Sequence, residues 1–198
     1  LEPLHVPALC WLGVLFSVLG RPDDATAPLQ LARDIDPLAP FPLAMAGMCL
    51  LASRRVREAE QYLAQASDFD KENTLALWAS GLALMIRGQA AAGIEMLTRA
   101  LTPSHRGGFI HALLGWAFAV AGSTDRARAI LAELRMAGTP PSANVAEAWL
   151  LAALGETDRA WAILDRAEQV CQQSLPLVGL TGFDPLRADP RFAAMLER

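Results

Sequence analysis

The sequence has little of what several classes of protein depend on. Its 198 residues include a single lysine, Lys71, and a net charge of −4 with a pI near 5.4 argues against a nucleic-acid-binding surface. Its three cysteines, Cys10, Cys49 and Cys171, are too few and too widely separated for a disulfide framework or a zinc site. We expect each to be a small buried side chain in a reducing compartment, which indicates a cytoplasmic protein.

Long apolar segments and targeting signals are also lacking. The longest apolar run, Val6 to Leu19, has about 14 residues, whereas a membrane-spanning helix needs about 20. The run therefore predicts a buried helix and no membrane span. No basic segment or small-residue cleavage site precedes it, so we expect no secretory signal. Because the chain begins with Leu1 and not with Met, we expect it to be part of a longer protein.

Motifs for catalysis are missing as well. The sequence contains no glycine-rich loop before Lys-Ser or Lys-Thr, no His-Glu-x-x-His and no Gly-x-Ser-x-Gly. Its histidines, His5, His105 and His111, are scattered along the chain. We therefore predict no catalytic residue, no metal site and no cofactor, and the sequence favours a non-enzymatic function.

The chain does contain an internal repeat. The stretch GSTDRARAIL, residues 122–131, returns almost unchanged as GETDRAWAIL, residues 155–164. A second series of glycines, Gly13, Gly47, Gly81 and Gly115, is spaced at 34-residue intervals. A period near 34 is typical of proteins that stack one small helical unit many times.

Each repeat unit is predicted to contain two helices. The first helices are expected at Ala8–Leu19, Pro42–Ser53, Thr74–Arg87, Phe109–Ala121 and Ser142–Leu154. The second helices are expected at Pro22–Asp34, Val56–Ser67, Gln89–Leu101, Thr124–Met136 and Thr157–Val170, with Pro22 at a first helical position. In each of the first four repeat units, the first helix contains a glycine, which costs about 1 kcal/mol relative to alanine. We expect it to be kept because it lets a neighbouring helix approach closely.

These units resemble the tetratricopeptide repeat, a helix–turn–helix of 34 residues. In the first unit the motif positions are occupied by Leu12, Gly13, Phe16, Gly20, Ala25, Leu29, Ala32 and Pro37. Departures from the motif are Arg54, Gly93 and Leu134. The resemblance implies an all-α, right-handed superhelical solenoid of about five repeats with a C-terminal helical cap. The repeats would cover residues 6–39, 40–73, 74–107, 108–140 and 141–170 within a solenoid of 1–170, and the cap would cover 171–198.

The predicted cap contains the doublet FDPLR and ADPRF, residues 183–192. Asp before Pro favours a helix start, and terminal repeats of a solenoid need covering. The alternative is that this tail is a ligand for another chain. The ending is similar to those of bacterial tetratricopeptide regions attached to winged-helix regulators, nucleotide cyclases and kinases.

The resemblance also implies where a partner would bind, because the first helices of the family line a concave groove. The groove residues predicted in this way are Phe41, Met48, Leu51, Leu75, Trp78, Leu82, Met85, Phe109 and Trp116. None is charged, so the family's Lys, Arg and Asn clamp for chaperone tails is absent. Exposed apolar surface of this kind favours burial by about 25 cal/mol per Å². The alternative is that these side chains only contact each other.

The predicted function is therefore a protein-interaction scaffold that binds an apolar helix or peptide in the groove. A part of the same protein or a second copy, as in a homodimer, would also suit an apolar groove. The alternative function is a regulatory or sensory region of a larger bacterial signalling or transcription-regulatory protein, which acts by effector binding or self-association.

Overall fold

A computed structural model describes residues 5–19, 21–102, 108–138, 143–170 and 181–196 of the chain. Throughout these residues the regular structure is helical, and they contain no strand. The all-α class of a helical repeat is therefore confirmed. The chain divides into two compact units, with the boundary between Ala100 and Leu101.

The first unit contains three helical hairpins. They are formed by α1 (Val6–Val18) with α2 (Thr26–Ile35), α3 (Pro40–Ala52) with α4 (Val56–Phe69), and α5 (Thr74–Ile86) with α6 (Ala90–Ala100). The first helices α1, α3 and α5 contact each other in sequence order. The Asn73 side chain accepts a hydrogen bond of 3.0 Å from the Ala76 N–H and thereby caps α5.

The second unit contains two hairpins and the C-terminal segment. The hairpins are α7 (Phe109–Val120) with α8 (Thr124–Ala137), and α9 (Asn144–Ala153) with α10 (Thr157–Val170). A 3₁₀ helix, Thr181–Leu186, packs on α9, and α11 (Pro190–Leu196) follows it. The sequence groups 1–170 in one array and sets 171–198 apart, whereas here residues 181–196 belong to the same unit as α7–α10.

The glycines of the first helices allow the two helices of a hairpin to pack closely against each other. A Cβ at Gly47 would lie 2.7 Å from Cγ of Leu63, and a Cβ at Gly81 would lie 2.8 Å from Cγ of Leu97. The small residues of the second helices, such as Ala59 and Ala66, are fully buried. The predicted reason for keeping the glycines, close helix approach, is therefore confirmed.

The helix α2 corrects one sequence prediction. It begins at Thr26 and not at Pro22, because residues 22–25 form turns in which the Ala25 N–H donates to the Pro22 carbonyl oxygen at 3.2 Å. Pro28 explains the late start. A proline in a helix interior removes a hydrogen bond and clashes with the preceding turn. With the start at Thr26, Pro28 lies within the first turn, where its missing N–H costs nothing.

The helix α1 corrects a second prediction, since it is not buried on all sides. Cys10, Gly13 and Val14 are buried, whereas the opposite side of α1 is exposed. Its length of 13 residues is far below that of a bilayer span. None of the helices in the described ranges combines the length and the apolar character that crossing a membrane requires.

The described part of the C-terminal segment is held by aromatic and charged contacts. The Phe183 ring lies 5.5 Å from the Trp149 ring, edge to face, and 6.1 Å from the Phe192 ring. The Trp161 indole donates to Asp189 at 3.1 Å, and Arg191 donates to Asp158 at 3.0 Å. These contacts suit the predicted cap, although its residues 171–180 lie outside the described ranges.

Candidate partner-binding surface

The groove residues predicted in the first unit all lie on the first helices α3 and α5. Met48 and Leu51 are buried on α3, and Trp78, Leu82 and Met85 are buried on α5. Phe41 and Leu75, near the N-terminal ends of the same helices, are partly exposed. The structure therefore separates this set into an interior group of five and an accessible pair.

The second unit repeats this division. Trp116 is buried on α7, with its ring 6.1 Å from the ring of Trp149 on α9. Phe109, the first residue of α7, is partly exposed. Phe41, Leu75 and Phe109 are 34 residues apart in the sequence, so they occupy the same position in three successive repeats. Each is the second residue of its predicted repeat, and we call these three residues the position-2 row.

The reason for the division is the position of each residue within its helix. Side chains in the middle of a first helix meet the neighbouring first helix and the second helix of the same hairpin. The first or second residue of each helix keeps some access to solvent, although Leu43, Leu77 and Ile110 in the same first turns are buried. Sequence periodicity identifies one apolar face and treats both positions alike, which is why the sequence predicted a single continuous groove.

The position-2 row and the interior group carry no titratable side chain. Within the described ranges no cluster of His, Cys, Asp or Glu could hold a metal ion. Among the buried polar groups near these helices, the Ser17 hydroxyl donates to the Gly13 carbonyl oxygen at 3.0 Å, and His111 Nε2 lies 3.4 Å from a Glu133 carboxylate oxygen. The buried indole N–H of Trp149 has no hydrogen-bond partner among the described residues. The surface can therefore recognise shape and apolar character.

The two cysteines of the first unit are structural. Cys10 on α1 and Cys49 on α3 are free and buried, as the sequence predicts, while Cys171 lies outside the described ranges. Burial raises the pKa of Cys10 to about 11 and that of Cys49 to about 12. A thiol is nucleophilic only as the thiolate, so neither cysteine is a reactive group at neutral pH.

A cavity between the first two hairpins was not predicted from the sequence. It has a volume of about 150 Å³. Ser17, Leu29 and Cys49 contribute to its apolar and weakly polar lining, and Arg33 and Tyr62 lie on its polar side. The Arg33 guanidinium lies 5.2 Å from the centre of the Tyr62 ring and donates to its hydroxyl at 3.4 Å. The repeat pattern gives no signal for this cavity.

Comparisons with known proteins support the fold. No family model matches the sequence, and no curated protein matches it. Among solved structures, the fold is similar to that of PilF from Pseudomonas aeruginosa, a protein with tetratricopeptide repeats. The TM-score is 0.59, the identity is 21%, and the match covers 97% of this chain and 84% of that chain. At this identity the likeness concerns the fold alone, and the fold of this chain is tetratricopeptide-like.

Proposed function

We propose that this protein is a non-enzymatic protein-interaction scaffold that binds an apolar helix or peptide along its first helices. The observation that carries the proposal is the position-2 row, in which an apolar side chain stays partly exposed at the same place in three repeats. Stacking within a hairpin does not require a large side chain at this exposed position. A partner that follows the first helices of the first unit would meet one such side chain per repeat, at Phe41 and at Leu75.

The interior group lies on the same first helices as the position-2 row and forms the buried part of that face. Trp78 lies one helical turn after Leu75, and Met48 lies two turns after Phe41, so both belong to the same helix faces as the row. Tryptophan anchors many interfaces, and methionine adapts its shape to different partners. Because these side chains are buried, their replacement by alanine would leave a cavity and lower stability by about 2–5 kcal/mol. Loss of binding in such variants would not identify a binding surface.

The chemistry of the row defines the partner. An amphipathic helix binds a groove through apolar residues at spacings of three and four, and an extended peptide does so through alternate side chains. No charged group in the row or in the interior group selects a terminal carboxylate or a phosphate. We therefore expect a partner with an apolar recognition segment, whose binding changes little with salt concentration.

Site-specific photocrosslinking tests this proposal directly. A photoreactive phenylalanine analogue at position 41 or 75 should capture a defined partner in cells, which mass spectrometry then identifies. The matched control is position 69, where Phe69 is 50% exposed on the second helix α4 of the same unit. Leu75→Ser should strongly reduce capture by the analogue at position 41, and Phe41→Ser should strongly reduce capture by the analogue at position 75. Equal capture at positions 41, 75 and 69 would contradict the assignment of the surface.

A regulatory or sensory role is the alternative function, and the cavity between the first two hairpins favours it. A volume of about 150 Å³ beside Arg33 and Tyr62 suits a small effector with one polar end. In this role the repeats would transmit an effector signal to another region of a longer protein. An adjoining DNA-binding or cyclase domain in the same polypeptide would favour this alternative over the scaffold.

A further inference from the structure

The cavity of the first unit lies at a junction whose contacts differ from those of the next junction. The first junction joins the hairpins α1–α2 and α3–α4, and the second joins α3–α4 and α5–α6. A salt bridge crosses the second junction, where Arg87 donates to Glu60 at 3.0 Å. The residues 34 positions earlier are Ser53 and Thr26, and both line the cavity. Short hydroxyl side chains therefore occupy the first junction at the positions of a long ion pair in the second.

The inner wall of the cavity is apolar and uncharged. Leu29, Ala46 and Cys49 are buried there. The Ser17 hydroxyl donates to the Gly13 carbonyl oxygen at 3.0 Å, so it does not require a polar group from a ligand. An apolar cavity of about 150 Å³ accommodates a molecule the size of benzene, with about six carbon atoms. The inner wall therefore suits a short hydrocarbon group.

The outer side of the cavity carries an arginine that no carboxylate of the described residues neutralises. Arg55 and Glu58 also line the cavity, but they form a bidentate ion pair with each other at 2.6 and 2.8 Å. Arg33 contacts Tyr62 instead, at 3.4 Å from the hydroxyl and 5.2 Å from the ring centre. A guanidinium has several N–H donors, and a carboxylate can accept from two of them at once.

The contact between Arg33 and Tyr62 is not part of the repeat pattern. The residues 34 positions later are Ser67 and Met96, and neither carries a charge. The second and third hairpins therefore stack without such a pair. The arginine and the tyrosine at the cavity are specific to the first junction, so stacking alone does not account for them.

We propose that this cavity binds a small carboxylic acid, with the carboxylate on Arg33 and a hydrocarbon group of about six carbon atoms against Leu29 and Cys49. A single unneutralised cation suits a single negative charge, so a doubly charged phosphate is a poorer ligand. This ligand class deepens the alternative regulatory function, which rests on the same cavity. It is independent of the position-2 row.

The tyrosine at the cavity makes ligand binding directly observable. Tyr62 is the only tyrosine of the chain, so labelling with 3-fluorotyrosine gives one ¹⁹F NMR signal, which reports on the cavity. Titration of the whole chain with sodium hexanoate should shift this signal saturably, with a Kd on the order of 0.1–1 mM. Three control ligands should bind at least about tenfold more weakly: hexan-1-ol with a neutral head, hexylamine with a positive head, and acetate without the chain.

Three variants locate the site. Arg33→Met should weaken the binding of hexanoate by about tenfold or more and leave that of hexan-1-ol unchanged. Arg135→Met is the matched control, because Arg135 is exposed at the equivalent position of the fourth repeat, and it should leave both affinities unchanged. Thr26→Glu combined with Ser53→Arg copies the salt bridge of the second junction. This double variant should abolish the binding of hexanoate without lowering the melting temperature.

Several results would overturn the proposal. They are a ¹⁹F signal that shows no saturable shift up to about 10 mM hexanoate, equal affinities for hexanoate and hexan-1-ol, and equal losses in Arg33→Met and Arg135→Met. The regulatory function is tested separately by photocrosslinking at position 41 with and without hexanoate. Binding that leaves this crosslinking unchanged would support the carboxylate site and contradict only the regulatory function.

Discussion

At the scale of single residues, Arg54 departs most from its repeat. It occupies the turn between α3 and α4 with φ 61°, whereas Gly88, Gly122 and Gly155 occupy the equivalent turns with φ of 75°, 78° and 80°. A side chain makes this left-handed conformation unfavourable, typically by about 1–2 kcal/mol. The motif predicts glycine at this position, and the structure shows that the backbone keeps the glycine conformation without it.

Replacing Arg54 by glycine should therefore stabilise the protein. We expect the free energy of unfolding to rise by no more than about 1 kcal/mol. Relief of the strain stabilises the folded state, but the greater entropy of glycine in the unfolded chain offsets part of this gain. Urea denaturation followed by circular dichroism measures the change. The reciprocal variant Gly88→Arg should lose a similar amount, because it imposes the same strain on the next hairpin. A gain in both variants, or a loss in both, would contradict this interpretation.

The exposure of individual side chains also depends on tertiary contacts that the sequence does not show. Phe41 and Met48 look alike in the apolar pattern of α3, yet Phe41 is partly exposed and Met48 is buried. The difference depends on which neighbouring helix reaches each side chain. Trp11 shows the same effect, because its apolar surroundings in α1 predict burial, whereas no hairpin among the described residues covers it.

At the scale of the helical elements, the contact between Gly47 on α3 and Leu63 on α4 sets the spacing within a hairpin. Gly47→Ala should improve the helix propensity of α3 by about 1 kcal/mol. The added methyl group would also lie 2.7 Å from Leu63 Cγ and 3.3 Å from the Ala59 carbonyl oxygen. Overpacking of a core costs about 1–3 kcal/mol, so we expect net destabilisation of up to about 2 kcal/mol.

A double-mutant cycle isolates the cause of this effect. In the Leu63→Ala background the added methyl group meets no leucine, so Gly47→Ala should cost less or should stabilise the protein. The free energy of unfolding is measured for all four proteins by urea denaturation. If Gly47→Ala alone raises stability by the full propensity gain, helix propensity outweighs the contact and the steric explanation is wrong.

The elements themselves were largely predictable. Apolar periodicity, prolines and glycines placed α3 to α10 within a few residues of their observed bounds. The start of α2 was wrong, because the motif register favoured Pro22 while Pro28 excluded a helix that began there. A local backbone restriction outweighed the repeat pattern at this point. The cavity beside Arg33 is a matter of tertiary packing and is not visible in the repeat pattern.

At the scale of the whole molecule, the described chain consists of two units, and in each one a hairpin depends on its neighbours. Phe183→Ala should test how far this dependence extends. Phe183 is fully buried between Trp149 and Phe192 in the second unit, so its loss should cost about 3–5 kcal/mol. Repeat arrays unfold according to contacts between nearest neighbours. Native-state hydrogen exchange should therefore accelerate in residues 143–170 and remain unchanged in residues 5–69.

The control for this prediction is Phe69→Ala, which removes a half-exposed ring from α4 and should change stability much less. Acceleration of exchange by Phe183→Ala throughout residues 5–69 would show that the two units unfold together. In that case the nearest-neighbour description would fail for this chain.

The sequence by itself determined the helices, their pairing and the apolar character of the first-helix faces. A 34-residue period and close-packed glycines are local properties, because each unit repeats the same contacts with its neighbours. Only the tertiary structure decided which apolar side chains are accessible. Exposure depends on whether another element covers a position, which is why Phe41 and Leu75 became the candidate surface while Trp78 became part of the core. The outer side of α1, with Trp11, Leu12 and Leu15, is exposed for the same reason: its pattern is that of a buried helix, and no hairpin among the described residues covers it.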